Sequence, residues 1–210
     1  KGDFVKEPKE ARPTSAKVLQ ALFNILGPLH RRSFLDLFAG TGRVSAAAWQ
    51  RGARPVVAVE LRRPKGEGGH FLEKIGEIAS EGERRHLRNG EGEVEVFWGD
   101  VRRALRHFRR QGRCFDVIFA DPPYQAGWVP VLLALLVQGE LPLDSEGVLV
   151  LEHSVREPLS PPGPPWITST RTYGETALSF FHRERTPQEA AQNQEEDAPM
   201  PRDRGAGEEG

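Results

Sequence analysis

The sequence predicts an α/β fold built on a mostly parallel sheet, and three features of the 210-residue chain indicate it. Residues 115–120 hold five apolar residues among six, which is typical of a strand buried on both faces of a parallel sheet. Residues 33–38 lead into a glycine-containing turn and then into a helical pattern. Near the end, residues 166–173 and 176–181 flank a Gly-Glu turn and predict an antiparallel hairpin.

The first third of the chain predicts a helix, a strand, a second helix and a second strand. The first helix begins at Thr14 or Ser15, because both residues can cap it and apolar residues follow at helical spacing (Leu19, Leu22, Phe23 and Leu26). After the strand over 33–38, a helix of small residues covers 44–49 and a buried strand covers 55–60.

The later elements alternate in the same way. The glycine-rich and charged segment 62–92 contains one helical pattern, formed by Phe71, Leu72, Ile75, Ile78 and Ala79. Around the central strand, the patterns then predict a strand over 93–98, a helix over about 101–110, a helix over 129–137 and a strand over 147–152. The chain contains no internal repeats.

Charge and composition divide the chain into three parts: an N-terminal arm over 1–11, one main domain over 12–185 and a disordered acidic tail over 186–210. The tail carries seven acids and two arginines, so residues 1–185 hold 27 basic and 23 acidic residues. That surplus of four positive charges is compatible with a nucleic-acid partner.

The same composition excludes several classes of protein. The single cysteine, Cys114, excludes an internal disulfide and fits a reducing compartment. No apolar run approaches the ~20 residues that a membrane span needs, so we expect a cytoplasmic protein without a membrane partner. The six histidines are scattered without metal-ligand spacing, so no metal site is predicted.

The central strand ends abruptly in the tetrad Asp121, Pro122, Pro123 and Tyr124. Open α/β sheets bind ligands at the carboxyl ends of their strands, which places the tetrad at the mouth of a crevice. An exocyclic amine of a nucleobase is a poor nucleophile, and two acceptors could grip its hydrogens: the carboxylate of Asp121 and the backbone carbonyl of Pro122. Tyr124 offers an aromatic face on which an extruded base can stack.

A structural explanation exists for each of these residues. The tetrad also fits an ordinary strand exit with a capping aspartate and a surface tyrosine. Arg12 and Thr14, just before the first helix, fit a solvated charge and a helix cap as well as they fit a substrate role.

Two further strand ends favour a nucleotide-type ligand. Glycines at 40 and 42 let the backbone approach a ligand closely at a helix N-terminus, although a lone Gly-x-Gly is a weak signal. Glu60 ends the second strand 18 residues beyond Gly42, where a carboxylate can accept both hydrogen bonds of a ribose diol. Asp100 ends the third strand and can bind an adenine amine, cap the next helix, or do both.

The chain resembles the RsmD family over about residues 1–183, in a set of short motifs: Arg12-Pro13-Thr14, Leu37-Phe38-Ala39-Gly40-Thr41-Gly42, Val59-Glu60, Gly99-Asp100, Asp121-Pro122-Pro123-Tyr124 and Tyr173-Gly174. The tetrad is shared with many amino-methyltransferases of adenine, cytosine and guanine, whereas Arg-Pro-Thr leading into a helix before Phe-Ala-Gly-Thr-Gly is more particular to this family. The resemblance implies S-adenosylmethionine-dependent methylation of the exocyclic N2 of a guanine in small-subunit ribosomal RNA.

The resemblance also implies a class I (Rossmann-like) methyltransferase fold, with a seven-stranded, mostly parallel sheet and a C-terminal antiparallel hairpin. Its implied cofactor residues are Asp36, Phe38, Ala39, Gly40, Thr41 and Gly42 around methionine, Glu60 and Leu61 near ribose, Asp100 and Val101 near adenine, and Asp121 beside the reacting group. Asp121, Pro122, Pro123 and Tyr124 would form the catalytic tetrad, and Arg12, Thr14 and Tyr124 would contact the substrate.

Two other functions stay open from the sequence. The tetrad does not name the base, so a DNA adenine-N6 methyltransferase is one alternative. A catalytically idle RNA-binding module of ribosome assembly is the other. We expect a monomer whose partner is ribosomal RNA or the small ribosomal subunit.

Overall fold

The computed structural model describes residues 14–61 and 94–184. Its four helices are α1 (Ala16–Leu26), α2 (Arg43–Gln50), α3 (Val101–Arg110) and α4 (Trp128–Val137). Its seven strands are β1 (Phe34–Asp36), β2 (Val56–Glu60), β3 (Val94–Trp98), β4 (Phe115–Ala120), β5 (Leu143–Ser154), β6 (Trp166–Tyr173) and β7 (Thr176–Arg183). Ser15 is the N-cap of α1, because its hydroxyl accepts a hydrogen bond from the amide of Val18 at 3.3 Å.

All seven strands join one sheet in the order β3-β2-β1-β4-β5-β7-β6. The pairs among β3, β2, β1, β4 and β5 are parallel, whereas β7 runs antiparallel to both β5 and β6. This order confirms the predicted α/β class, the seven-stranded methyltransferase sheet and the C-terminal hairpin.

Helices cover both faces of the sheet, which explains why the parallel strands read as continuous apolar runs. Successive strand residues point to opposite faces, so Phe34 packs with α1 and α2 while Leu35 packs with α3 and α4. The same alternation separates Val117 from Ile118 on β4. Two hydrophobic cores therefore lie on the two faces of the sheet.

The fifth strand differs from the prediction, since β5 extends over Leu143–Ser154 instead of residues 147–152. Its pairing with β4 contains a register shift between Phe115 and Val117. At this irregularity a side chain on Gly147 would come within 3.0 Å of the Phe115 carbonyl oxygen. Glycine lets the two backbones approach, and hydropathy alone does not reveal strand residues before such an irregularity.

Several predictions fall outside the described residues: the arm over 1–11, the helical pattern within 62–92 and the tail over 186–210. The three-part division of the chain therefore stays a prediction. Among residues 14–61 and 94–184, no helix has the length and apolar character needed to cross a membrane.

Candidate active site

The sheet order places the reversal point of the sheet between β1 and β4. The strands β2 and β3 follow β1 on one side of it, whereas β4 pairs with β1 on its other side. Ligands of open α/β sheets bind at this kind of reversal point. The glycine turn follows β1 and the tetrad follows β4, so both predicted motifs lie at the same edge.

The glycine turn is held by the end of β2. Gly40 and Gly42 have φ values of 53° and 79°, which favour glycine over residues with side chains. The Gly40 amide donates a 2.8 Å hydrogen bond to the Glu60 carboxylate. A Cβ placed on Gly40 would meet no heavy atom of the described chain within 4 Å, so open space faces the turn.

Asp36, the last residue of β1, is buried below this turn with 1% of its surface exposed. Burial raises the pKa of its carboxyl to about 7, and the hydrogen bond from the Ser45 hydroxyl, 2.7 Å long, opposes that rise in pKa. Its Oδ1 atom has no hydrogen-bond partner among the described residues. A buried carboxyl oxygen without a partner is costly and suits a site that a ligand completes.

The predicted adenine side lies at the end of β3. Asp100 is the N-cap of α3 and accepts hydrogen bonds from the amides of Arg102 at 2.9 Å and Arg103 at 3.4 Å. Val101 turns into the core, whereas Leu61 is 60% exposed. The structure thus brings Asp100 to the expected edge and gives it a capping role; a role in binding adenine stays a prediction.

The tetrad leaves β4 as a tight turn. Pro122 is buried, and no described residue donates a hydrogen bond to its carbonyl oxygen, whereas the Pro123 carbonyl accepts one from the Ala126 amide at 3.2 Å. Gln125 adopts a left-handed φ of 61° within this turn. Tyr124 is 46% exposed, and its hydroxyl lies 3.4 Å from the Thr176 hydroxyl. A carbonyl without a donor among the described residues and an exposed aromatic ring therefore follow Asp121.

Thr14 joins Asp121 to a carboxyl group that the sequence interpretation left without a role, that of Glu152. The Thr14 hydroxyl lies 3.4 Å from Asp121 Oδ2 and 3.3 Å from Glu152 Oε2. Burial raises the pKa of both carboxyls, and repulsion from Glu152 and then Asp36 raises the pKa of Asp121 further. The signal for Glu152 was present, because it is an acid after an apolar run, like Glu60 and Asp121.

Arg12, the other predicted substrate residue, lies outside the described residues. Within the part of the chain that the structure describes, no three His, Cys, Asp or Glu side chains are arranged to hold a metal ion. The candidate site therefore consists of a glycine turn, several carboxyl groups, a proline carbonyl and a tyrosine ring.

Comparison with known proteins then assigns the family. The family model described as Conserved hypothetical protein 95 matches residues 4–182. The chain belongs to the RsmD family. The Bacillus subtilis protein YlbH is 30% identical over 175 residues, which cover 82% of this chain and 88% of YlbH. The ribosomal RNA small subunit methyltransferase D of Escherichia coli is 25% identical over 175 residues, which cover 82% of this chain and 80% of that protein.

Solved structures share the fold of this chain. A hypothetical protein of Thermus thermophilus superimposes with a TM-score of 0.59 at 31% identity, covering 84% of this chain and 91% of that protein. The fold is the class I methyltransferase fold, whose cofactor is S-adenosylmethionine. The confirmed family and fold agree with the resemblance that the sequence motifs indicated.

Proposed function

We propose that this RsmD-family protein methylates the exocyclic N2 of a guanine in small-subunit ribosomal RNA, with S-adenosylmethionine as the methyl donor. The observation that carries the proposal is the meeting of the glycine turn and the Asp121 tetrad at the reversal point of the sheet. The names of the Escherichia coli and Haemophilus influenzae relatives, ribosomal RNA small subunit methyltransferase D, support the choice of RNA.

The residues at the edge fit the cofactor. When bound, the cofactor supplies an electrophilic methyl group on a positively charged sulfur. Asp36 offers an unpaired buried oxygen, and Gly40 leaves open space in front of the turn. Asp36 raises the pKa of both Asp121 and Glu152, and Glu152 raises that of Asp121, so the field of these carboxyl groups favours a cationic ligand. Asp36 with residues 38–42 would hold the methionine part, Glu60 and Leu61 the ribose, and Asp100 and Val101 the adenine.

Asp121 and Pro122 would hold the substrate amine. The amine nitrogen of guanine is delocalised into the ring, and two acceptors on its hydrogens orient the lone pair that must attack carbon. The Asp121 carboxylate and the Pro122 carbonyl are such a pair, on consecutive residues of a proline-stiffened turn. Orientation of this kind can lower a barrier by ~7–11 kcal/mol, so no covalent enzyme intermediate is required.

RNA as the substrate is supported by the surface of α3. This helix exposes five arginines: Arg102, Arg103, Arg106, Arg109 and Arg110. It contains no acidic residue, and only Arg109 forms an ion pair with a described acid, Glu140. Arg102 lies over the Trp128 ring at 4.4 Å, and Trp128 contacts the Phe38 ring edge-on at 5.2 Å. The basic face therefore begins beside the glycine turn.

Methylation with labelled S-adenosylmethionine tests the proposal. Naked small-subunit RNA, assembled small subunits and duplex DNA are offered in parallel, and the products are digested to nucleosides. The expected product is N2-methylguanosine from one of the two RNA-containing substrates. N6-methyladenine from DNA would support the adenine alternative, and cofactor binding without transfer to any substrate would support the idle RNA-binding module.

A further inference from the structure

Thr14 lies between two carboxyl groups that come from neighbouring strands. Its hydroxyl oxygen is 3.4 Å from Asp121 Oδ2 and 3.3 Å from Glu152 Oε2. The two acids are side by side because Ala120 of β4 pairs with Leu151 of β5, and each acid is the next residue of its strand path. Glu152 is only 3% exposed, so water does not separate it freely from this partner.

The valence of the hydroxyl limits the charges that this group can hold. A threonine hydroxyl has one hydrogen to donate and two lone pairs that accept. It can therefore donate to only one carboxylate at a time. A hydrogen bond to the second carboxyl requires that this carboxyl carries a proton and donates it to Thr14 Oγ1.

The surroundings oppose two negative charges here. Asp36 on β1 adds a further carboxyl, with Glu60 of β2 behind it, while Arg43 of α2 donates to the Thr14 backbone carbonyl at 3.2 Å. Two other titratable side chains of this region have partners of their own. The Tyr124 hydroxyl contacts that of Thr176, and the His153 ring is hydrogen-bonded to the Ser179 hydroxyl at 2.9 Å. Burial is the largest cause of the raised pKa at both acids, and repulsion from Glu152 brings the pKa of Asp121 to about 8, against about 7 for Glu152. Without substrate the proton therefore lies on Asp121.

We propose that Asp121 and Glu152 share one proton through the Thr14 hydroxyl, and that a bound substrate amine moves this proton from Asp121 to Glu152, because the amine hydrogens need Asp121 as a carboxylate acceptor. Glu152 and Thr14 are then positioning residues that act through Asp121. The inference rests on the proposed methyl transfer. It states which neighbouring groups determine the protonation of Asp121 in that reaction.

The proposed proton position also accounts for the proton that the reaction releases. The amine lone pair forms the N–C bond, and the electron pair of the breaking C–S bond goes to sulfur. The extra hydrogen on nitrogen leaves as a proton to the Asp121 carboxylate. Both carboxyls are then neutral, which weakens the hold on the methylated amine, and one proton returns to water after release.

Glu152→Gln gives the sharpest test, because the amide can still donate to Thr14 but cannot ionise. In single-turnover methyl transfer between about pH 5 and pH 9, the wild-type rate should fall at low pH, where Asp121 gains a proton, and again at high pH, where the shared proton is lost. Glu152→Gln should keep the acidic limb and lose the basic one.

Glu95→Gln is the matched control, since it makes the same chemical change at an ion pair with Arg113 that lies outside the site. It should keep the full wild-type pH profile. Thr14→Ser should preserve transfer and Thr14→Val should lose it at least ~10-fold, because only serine retains the bridging hydroxyl. A basic limb that persists in Glu152→Gln, or full activity in Thr14→Val, would overturn the proposal.

A measurement without catalysis separates this inference from the proposed function. Carboxyls with raised pKa values stabilise the folded state at low pH, and that stabilisation is lost as pH rises through the folded pKa values. The melting temperature of the wild type should therefore fall more between pH 5 and pH 8 than that of Glu152→Gln. Equal slopes would refute proton sharing, whereas a wild type that methylates none of the substrates would refute the function alone.

Discussion

Asp121 is the residue on which the proposed chemistry depends most directly. Asp121→Ala removes one of the two acceptors for the amine, and a group that acts mainly in the transition state is worth ~10²–10³ in rate. We expect single-turnover transfer to fall by about that factor while cofactor affinity changes less than ~3-fold, as measured by calorimetry. Asp121→Asn, which keeps an acceptor oxygen, should be intermediate. Transfer by Asp121→Ala at the wild-type rate would exclude this role.

Two substitutions of Tyr124 distinguish base stacking on its ring from hydrogen bonding by its hydroxyl. Its ring is exposed at the edge, and its hydroxyl contacts Thr176. Stacking of a base on an aromatic ring is worth ~1–3 kcal/mol, so Tyr124→Ala should weaken RNA binding by about 5- to 150-fold. Tyr124→Phe retains the ring and should bind RNA within ~3-fold of wild type. Equal affinities of all three proteins in a filter-binding assay would contradict a stacked base.

Individual site residues were predictable where the acid and its strand end stand together in the sequence. Glu60, Asp100 and Asp121 each follow an apolar run, and the structure places all three at the carboxyl edge. Glu152 carries the same signal, yet its partnership with Asp121 depends on β5 lying next to β4. Strand neighbours are a tertiary property, so the bridge through Thr14, 138 residues away from Glu152, was not visible in the sequence.

At the scale of elements, α3 carries the highest net charge of the four described helices. Like charges one turn apart on a helix are destabilising by ~0.2–0.5 kcal/mol per pair, so an arginine-rich face costs stability unless an anion binds it. The inward face follows ordinary rules, since Val101, Ala104, Leu105 and Phe108 are buried. Only the outward face therefore requires a functional explanation.

We expect the double variant Arg103→Gln/Arg106→Gln to weaken RNA binding and to reduce its salt dependence. Each lost phosphate contact on single-stranded RNA lowers the slope of log K against log salt by ~0.7, so two contacts give a change of ~1.4. Arg31→Gln/Arg183→Gln is the control, because both side chains are exposed at the amino edge of the parallel strands. A salt slope unchanged in the α3 variant, measured between about 50 and 200 mM salt, would exclude this face from the RNA interface.

Element boundaries show what local patterns leave out. The helix α3 matches its prediction, because its apolar residues recur with helical period and Asp100 supplies a cap. The strand β5 is longer than predicted, because Leu143 pairs with Phe115 before the register shift at Gly147. A polar, glycine-interrupted segment lacks the hydrophobic signature of a strand, and only the neighbouring backbone makes it one.

For the whole molecule, the decisive property is that chain order and spatial order differ. The glycine turn and the tetrad are about 80 residues apart in the printed sequence, yet β1 and β4 are direct neighbours. Local patterns predicted the strands, whereas their assembly into one seven-stranded sheet came from the family resemblance. Two covered faces then fix the edge, so that several carboxyl groups are held close together at one end of the sheet.

The cost of that acidic edge should appear in the stability of the entire domain. Burial raises the pKa of Asp36 from 3.8 to about 7. The protonated carboxyl therefore stabilises the folded state fully below about pH 4, and this stabilisation is lost as pH rises through 7. A shift of this size corresponds to at most roughly 4 kcal/mol. Asp36→Asn cannot ionise, so its free energy of unfolding, from urea titrations, should fall less between pH 4 and pH 8 than that of the wild type. The same variant should bind the cofactor more weakly, because the unpaired Oδ1 atom is replaced or turned away. A variant that matched the wild type in both pH dependence and cofactor affinity would show that Asp36 is neither a buried acid nor a binding residue.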